Sequence, residues 1–475
     1  MTNNNWKKEY EDYVASMQEK YKVPGVAVGV SKDGKSIYEK GFGFRNKEVK
    51  LNVNSETIFG IASVTKSFTC VGIMQLYEAE KLDIQDKVTK FLPNFKLPEK
   101  PELSNEVTIH HLMTHTSGLP PLTPLTYAMK RTMDEDPSSG DHPGLNLQEK
   151  TGAPIDTYNQ LMEHIRESKE KLLGNPGQEF SYSNDGYALL GAIIQEVSGQ
   201  SFETYITENI FMPSGMESST FDVEKVKKAA NVTMQYSLKD TVGDGEGEVN
   251  AAPVWWDAPA MRAAGFIKST VNDMLRYAEI YRTGGLVGDN RILSEESIRA
   301  MTEPYAQFEP NRFYGYGLMI KPDFHGNKVV EHGGSLKAIS SNLTIIPEKG
   351  LAGVVLTNLV GVPAFQLIQG ALNVLLGLEV DTPYSVYPEY ECSPEKCAQY
   401  TGEYVSGEGA TISIGLDDNQ LTITQQEKTY TLRPFAEHQF AVKMKENEQP
   451  VRFLINEEGS VRGIAVGLRQ VPKKV

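Results

Sequence analysis

Helical patterns nearly disappear from this sequence after about residue 380, and this change most constrains the fold. Beyond the proline-punctuated stretch EVDTPYSVYPEYECSPEK, apolar and polar residues alternate across tight turns, as in ATISIGLDDNQLTITQQEKTYTLRPF. Such alternation predicts antiparallel strands with one buried face. A meander of roughly 80 residues is long enough for a small barrel. We therefore predict a linker over residues 381–397 and a separate antiparallel β-barrel over residues 398–475.

Residues 1–380 mix helical and strand patterns, which predicts a larger α/β (α+β) domain with an antiparallel sheet and a helical part. The start of the chain, MTNNNWKKEYEDYVASMQEKY, has the spacing of an amphipathic helix. The next segment, GVAVGVSKDGKSIYEKGFGF, predicts a hairpin that turns at Asp33 and Gly34. Three more strands are predicted over residues 327–358. Residues 120–155 are rich in Pro, Gly, Asp and Ser, which predicts a long surface loop.

Charge and hydropathy exclude several classes of partner. The formal net charge of −15 argues against binding to nucleic acid or to an anionic membrane. The most apolar long stretch, residues 351–378, is interrupted by Pro363 and by several amides, so it predicts a buried strand and helix rather than a membrane span. The N-terminus lacks the apolar core of a signal peptide. We expect a cytoplasmic protein, or a secreted one if a leader has been removed.

Three cysteines are too few for a disulfide framework or a four-cysteine zinc site. Cys70 lies in a predicted helix, whereas Cys392 and Cys397 are five positions apart in the linker. Whether the last two form a bridge stays open, since little else in the sequence signals oxidising conditions. We expect no metal and no organic cofactor.

The segment GIASVTKSFT places Ser63 and Lys66 where a strand-like run changes to a helix-like one. At this spacing both side chains lie on nearly the same face of a helix that begins near Val64. The helix N-terminus favours an alkoxide at Ser63, and a desolvated lysine amine can accept the serine proton. The same Ser-x-x-Lys spacing recurs at Ser168 and at Ser393, but without an apolar helix behind it. The alternative for Ser63 is a simple helix cap followed by a surface lysine.

Three further motifs supply potential partners. YSN contains Tyr182 and Asn184: a phenol can shuttle a proton, and a carboxamide can position a lysine and a substrate. EHGGS contains His332 between two predicted strands, where paired glycines allow a ligand backbone to approach closely. THTSGL contains His115, which we interpret as structural because no G-x-S-x-G motif surrounds any serine. The alternative for YSN is a tyrosine packed in the core with Asn184 as a helix cap, and the alternative for His332 is an ordinary histidine at a strand end.

The motifs SVTK, YSN and HGG, in this order, resemble the serine β-lactamase and penicillin-binding-protein superfamily. The resemblance is closest to the class C β-lactamase-like branch, which includes D-aminopeptidases, D-alanyl-D-alanine carboxypeptidases and esterases. Supporting phrases are VPGVAVGV, LMTHTSGLP, AAGFIKST and FYGYGLMI, so the match covers roughly residues 10–375. The C-terminal meander resembles the lipocalin-like domains that some of these peptidases carry, although this match is less specific.

The resemblance implies a role for each residue of the first two motifs. Ser63 would be the acylated nucleophile and Lys66 its hydrogen-bonded base. Tyr182 would carry protons, and Asn184 would contact both substrate and lysine.

The third motif would form the substrate edge of the site. His332, Gly333 and Gly334 occupy the place where β-lactamases carry Lys-Thr-Gly, and would bind substrate. The backbone N–H groups of Ser63 and Ser335 would form the oxyanion hole. A histidine in place of a permanently charged lysine weakens recognition of a β-lactam carboxylate, so efficient β-lactamase activity is not expected.

The sequence thus predicts a serine hydrolase that works through a Ser63 acyl-enzyme on short peptides or amides containing D-amino acids. Two alternatives stay open: a carboxylesterase of the same fold, and a non-hydrolysing penicillin-recognising sensor or scaffold. The expected partner is a small peptide, amide or ester substrate. We expect neither nucleic-acid binding nor a membrane span, and a homo-oligomer is compatible with the sequence.

Overall fold

The structure is a computed structural model that describes residues 5–141, 152–239, 247–407, 411–425, 428–444 and 447–474. Its centre is a nine-stranded antiparallel sheet. In spatial order the strands are Ala306–Glu309, Arg312–Tyr314, Met319–Phe324, Asn327–Leu336, Ile339–Ile346, Leu351–Thr357, Gly25–Lys32, Lys35–Asn46 and Leu51–Asn52. The N-terminal hairpin and the short strand Leu51–Asn52 therefore complete a sheet whose other six strands come from the second half of the large domain.

The predicted hairpin turn is confirmed at Asp33 and Gly34, which have φ values of 49° and 76°. Positive φ at both central residues defines the tight turn whose twist matches the flanking strands. The strand Gly25–Lys32 then pairs with Leu351–Thr357 in the register Val28 to Val355. The three strands predicted over residues 327–358 are present as well.

Helices cover both faces of the sheet. Successive residues of a strand point to opposite faces, and here both faces are apolar, so each face packs into its own hydrophobic cluster. Val26 and Val28 pack with the N-terminal helix on one face, whereas Ala27 packs with the larger helical part on the other. The α-helices are α1 Asn5–Lys20, α2 Thr65–Glu78, α3 Val88–Phe91, α4 Ile109–Met113, α5 Pro124–Asp134, α6 Tyr158–Glu167, α7 Asn184–Ser198, α8 Phe202–Ile206, α9 Val223–Lys228, α10 Arg262–Gly265, α11 Val271–Arg282, α12 Glu295–Met301, α13 Ala364–Leu375 and α14 Pro394–Ala398.

Short elements connect these layers. Two-stranded pairs join Phe59–Gly60 with Lys268–Ser269, Tyr236–Lys239 with Glu248–Ala251, and Leu286–Val287 with Asn290–Arg291. Turns of 3-10 helix cover Ala62–Val64, Pro101–Glu106, Ser139–Asp141, Pro259–Met261 and Pro347–Lys349, and a π-helical turn covers Thr207–Phe211. None of the helices within the described ranges is long and apolar enough to cross a membrane.

The prediction of a loop over residues 120–155 is wrong for its first part. Helix α5 occupies Pro124–Asp134 and buries Met129 and Met133. Pro124 suits the first turn of a helix, so the proline content that suggested a loop here marks a helix start. Asp136 follows in the core and pairs with Lys337 at 2.5 Å. Residues 142–151 lie outside the described part of the chain.

The C-terminal meander forms a nearly closed eight-stranded antiparallel barrel with sequential strand order. Its strands are Gly402–Val405, Thr411–Asp417, Gln420–Gln425, Lys428–Ala436, Gln439–Met444, Asn447–Ile455, Val461–Val466 and Arg469–Pro472. A bridge between Tyr404 and Lys473 links its two ends. The interior is filled by side chains, with the rings of Tyr400 and Phe453 stacked at 4.2 Å.

The linker packs against the sheet rather than standing free, since Tyr387 is buried and Tyr384 contacts Phe324 and Phe365. Cys392 and Cys397 are free thiols whose sulfur atoms lie 2.8 Å apart. The barrel has its own hydrophobic cluster. The exact boundaries at residues 380 and 398 remain a prediction.

Candidate active site

Ser63 lies in the 3-10 turn Ala62–Val64, directly before helix α2, and its side chain is partly exposed. Ala62 has a φ of 44°, an unfavourable conformation for a residue with a Cβ atom. The turn is held in this shape by close neighbours. The Ser341 hydroxyl donates to the Ile61 carbonyl at 2.7 Å, and a Cβ atom on Gly334 would lie 2.2 Å from the same oxygen. Glycine at 334 therefore allows the EHGGS strand to approach the serine turn.

Lys66, in the first turn of α2, is completely buried and has three polar neighbours. Its Nζ lies 2.6 Å from the Ala264 carbonyl oxygen, 2.8 Å from Asn184 Oδ1 and 3.3 Å from Ser63 Oγ. The first two oxygens can only accept hydrogen bonds. A neutral amine must therefore use its two N–H groups for them, which leaves its lone pair for the Ser63 hydroxyl. The three contacts therefore direct the lone pair of a neutral Lys66 amine at Ser63 Oγ.

Electrostatics favour this neutral form. Burial lowers the pKa of the Lys66 ammonium well below its usual value, and the positive charge of Arg469 lowers it further. Asp185 and Cys70 act in the opposite direction with smaller effects. A buried amine whose pKa is lowered in this way is suited to general-base chemistry.

Tyr182 and Asn184 meet Lys66 from the other side of the site. The Lys66 Nζ lies 4.7 Å from the centre of the Tyr182 ring. Burial raises the pKa of Tyr182 above its usual value, while an interaction with the Ser63 side chain lowers it by a smaller amount. The phenol therefore stays protonated at neutral pH, a form that can donate a proton where a neutral amine can accept one.

His115 supports this segment, as its predicted structural role requires. Its Nδ1 accepts a hydrogen bond from the Ser183 backbone N–H at 3.0 Å, and its carbonyl accepts one from Ser181 at 2.8 Å. Its ring packs 4.3 Å from the Tyr182 ring. Burial lowers the pKa of His115, so the imidazole remains neutral next to Lys66.

The His332 side chain is located differently from the sequence-based expectation that it contacts substrate. The imidazole is fully buried, with Nε2 2.8 Å from the Tyr314 hydroxyl and Nδ1 2.6 Å from the Gly333 carbonyl. Because a carbonyl only accepts, Nδ1 carries the hydrogen and Nε2 accepts from Tyr314. Burial lowers the pKa of His332 to about 3, so it adds no positive charge to the site.

The backbone beside His332 is open to a substrate, because Gly333 is partly exposed and Ser335 is exposed. Gly334 brings this strand to the Ser63 turn. The oxyanion-hole roles of the Ser63 and Ser335 N–H groups remain a prediction that this arrangement favours.

The barrel also contributes to the site, through residues that no sequence motif marks. The turn between its last two strands lies beside Tyr182: the Tyr182 N–H donates to the Leu468 carbonyl at 3.1 Å, and the Arg469 guanidinium donates to the Tyr182 carbonyl. The Ala264 carbonyl, which accepts from Lys66, is likewise marked by no motif, although Ala264 lies within the phrase AAGFIKST. Within the described ranges, no three His, Cys, Asp or Glu side chains come together to hold a metal ion.

Comparison with known proteins agrees with this geometry. The family model described as Beta-lactamase matches residues 10–375. This chain belongs to the beta-lactamase family. Its serine hydrolase superfamily, which includes penicillin-binding proteins, is the one that the three motifs indicated, and the predicted fold class is confirmed.

Individual members of the superfamily are more distant. Protein flp of Staphylococcus aureus (strain MW2) is 28% identical over 345 residues, which are 71% of this chain and 60% of that protein. The chain thus spans about 60% of the length of the S. aureus relatives it matches. Penicillin-binding protein 4 of Amycolatopsis lactamdurans is 26% identical over 414 residues, 85% of this chain and 98% of that protein.

A solved structure extends the similarity over the barrel. The octameric penicillin-binding protein homologue from Pyrococcus abyssi is 31% identical, with a TM-score of 0.69. The match covers 98% of this chain and 99% of that one. The combination of a beta-lactamase-like unit and a C-terminal barrel is therefore not peculiar to this chain.

Proposed function

We propose that this protein hydrolyses short peptides or amides containing D-amino acids through an acyl-enzyme on Ser63. The observation that carries this proposal is the set of three contacts at Lys66, because two carbonyl oxygens occupy its N–H groups and only Ser63 Oγ remains for its lone pair. A serine with a neutral amine base at 3.3 Å is an activated nucleophile.

The reaction we propose has two halves. Ser63 Oγ attacks the substrate carbonyl carbon while its proton passes to Lys66 Nζ, and the Tyr182 hydroxyl donates a proton to the leaving amine as the C–N bond breaks. In the second half a water attacks the Ser63 ester. Before this attack the Lys66 ammonium returns its proton to the Tyr182 oxygen, so the amine is neutral again. Lys66 then accepts a proton from the attacking water, Ser63 Oγ takes that proton as its bond to the acyl carbon breaks, and the acid product departs. Asn184 holds Lys66 in register throughout.

The choice of a peptide or amide over a β-lactam rests on the EHGGS strand. A β-lactamase would present a lysine charge here, whereas His332 is neutral and buried, which disfavours efficient recognition of a β-lactam carboxylate. The D-amino-acid preference rests on the resemblance to D-aminopeptidases and carboxypeptidases alone. A carboxylesterase uses the same Ser63 chemistry and is the second candidate.

A panel of substrates tests the proposal. D-aminoacyl and L-aminoacyl p-nitroanilides are compared with p-nitrophenyl esters, using wild type and Ser63→Ala. We expect turnover of D-aminoacyl anilides above that of their L counterparts, and none in the variant. Turnover of esters alone would establish the esterase. A single burst of labelling by fluorescent penicillin, without turnover of any substrate, would instead favour the sensor.

Substrate length is the next part of the proposal. Because the barrel turn contacts Tyr182, we propose that the barrel limits how far a peptide extends from the site. Values of kcat/KM for di- to hexapeptides should fall with length. A flat length profile would remove this role from the barrel.

We also propose that the chain assembles into a homo-oligomer, since the Pyrococcus abyssi homologue is octameric and matches almost the whole chain. Light scattering coupled to size exclusion should give a mass that is a multiple of 52.7 kDa. A monomer at micromolar concentration would contradict this.

A further inference from the structure

The turn between the last two barrel strands, residues 467–468, brings Leu468 and Arg469 to the catalytic residues. We propose that Arg469 is a positioning residue of this active site: it fixes the Tyr182 backbone and places a barrel cation beside Lys66. This inference rests on the proposed Ser63 chemistry, but it adds a component from another part of the chain. The barrel thereby participates in acylation itself, beyond limiting substrate length.

The barrel turn and Arg469 make a double backbone contact with Tyr182. Its N–H donates to the Leu468 carbonyl at 3.1 Å, and its carbonyl accepts from the Arg469 guanidinium. Both backbone polar groups of Tyr182 are thus bound to the barrel turn. Leu468 also packs against the hydrophobic core that contains Tyr182. The orientation of the phenol therefore depends on this turn.

The anchoring of the turn does not depend on Arg469. Arg462 pairs with Glu179 at 2.5 Å and donates to the Leu173 carbonyl at 3.1 Å. Gln470 donates to Glu179 at 3.0 Å and to the Phe180 carbonyl at 2.8 Å. These contacts hold the barrel against the segment before Tyr182. They provide a matched control, because Arg462 anchors the same segment through Glu179 and Leu173, whereas Arg469 is the arginine that lowers the pKa of Lys66.

Arg469 and Lys66 also interact through charge. The Arg469 Cζ lies 5.1 Å from the Tyr182 ring centre, and Lys66 Nζ lies 4.7 Å from the same centre. The two cations are therefore at most about 10 Å apart, which at an effective dielectric constant of about 20 changes a pKa by about one unit. The direction agrees with the lowered pKa of Lys66, for which Arg469 is the largest cause after burial.

The other titratable groups around Lys66 do not supply this charge. Asp185 on α7 and Cys70 on α2 raise its pKa. His115 and His332 are neutral, because burial lowers their pKa values. Tyr182 and Tyr187 pack their rings against the amine and stay protonated, since burial raises the pKa of both. Arg469 is the cation whose removal should change the lysine.

The test is the pH dependence of Ser63 labelling by an uncharged fluorophosphonate, which reports acylation without requiring the natural substrate. Wild type is compared with Arg469→Gln, Arg469→Lys and Arg462→Gln. We expect the acid limb of the second-order labelling rate to move to higher pH by about one unit in Arg469→Gln. It should stay near its wild-type position in the other two variants. Raising the salt concentration should shift the wild-type limb towards that of Arg469→Gln.

Several outcomes would overturn the inference. An acid limb that does not move in Arg469→Gln, even with a lower rate at every pH, would reduce Arg469 to a structural contact. An equal shift in Arg462→Gln would assign the effect to docking of the barrel. Failure of the proposed function is distinguishable from both, because in that case wild type would not be labelled at Ser63 at any pH. Circular dichroism of each variant checks folding. If Arg469→Gln unfolds, Arg469→Lys, which retains the positive charge, still tests the role of the side chain in the folded protein.

Discussion

Replacing Lys66 by methionine should flatten the pH dependence of stability in the large domain. The lysine is fully buried, and burial lowers its pKa well below the usual value. Between that lowered pKa and the unfolded value of about 10.4, the unfolded chain binds one proton that the folded chain does not. The free energy of unfolding of wild type therefore rises with pH through this window. It falls as the pH decreases, because the buried amine must then become charged.

The magnitude follows from one proton. Each pH unit within the window changes the free energy of unfolding by about 1.4 kcal/mol, so wild type should gain about that much stability relative to Lys66→Met for each pH unit gained below the unfolded value of about 10.4. Urea unfolding at constant ionic strength measures this. Tryptophan fluorescence is a suitable probe, since Trp6, Trp255 and Trp256 all lie before the barrel. The absolute stability of the variant also depends on the two oxygens that lose a donor, so the slope is the decisive quantity.

A surface lysine provides the control. Lys90 has 56% of its side chain exposed, and Lys90→Met should keep the wild-type slope. Parallel curves for wild type and Lys66→Met would show that Lys66 holds the same charge in the folded and unfolded chain, and would refute its assignment as a neutral base.

Two further predictions concern the proton path and the linker. Lys66→Ala and Tyr182→Phe should each lower the acylation rate by about a hundredfold or more. Their effects should be strongly non-additive in the double variant, because both residues serve one proton path. If the two reductions in rate instead multiply in the double variant, the residues do not share a site. The thiols of Cys392 and Cys397 should join when treated with a small disulfide such as oxidised glutathione, because their sulfur atoms already lie 2.8 Å apart. Mass spectrometry should then find an internal bridge, whereas a stable glutathione adduct on either cysteine would contradict this.

Local patterns predicted much of the fold. Three local signals each predicted an element that the structure contains. They are the Asp33–Gly34 turn, the alternation of apolar and polar residues over residues 411–425, and the helical spacing of apolar residues in α2. The prediction failed at α5, where Pro124 lies in the first turn of a helix rather than in a loop. The sequence did not indicate what Met129 and Met133 would pack against, so their burial was not predicted. Proline and glycine content measures turn propensity, whereas the helix is stabilised by tertiary packing.

The candidate site was predictable only where chemistry is carried by side chains in recognised motifs. Ser63, Lys66 and Asn184 come together as their motifs implied. The orientation of His332 was not predictable, because its position between two strands leaves both faces possible until Tyr314 supplies a hydrogen-bond partner. Backbone groups such as the Ala264 carbonyl have no sequence signature. Arg469 is 287 residues from Tyr182, and only docking of the barrel brings the two together.

The most direct test of the account is the identity of the acylated residue. Wild type and Ser63→Ala are incubated with a slowly hydrolysed acylating agent, digested and analysed by mass spectrometry. Ser168 and Ser393, which share the Ser-x-x-Lys spacing, serve as internal controls. We expect one adduct on Ser63 in wild type, and neither adduct nor turnover in Ser63→Ala, whose circular dichroism spectrum should match that of wild type. An adduct on Ser168 or Ser393, or normal turnover in Ser63→Ala, would contradict it.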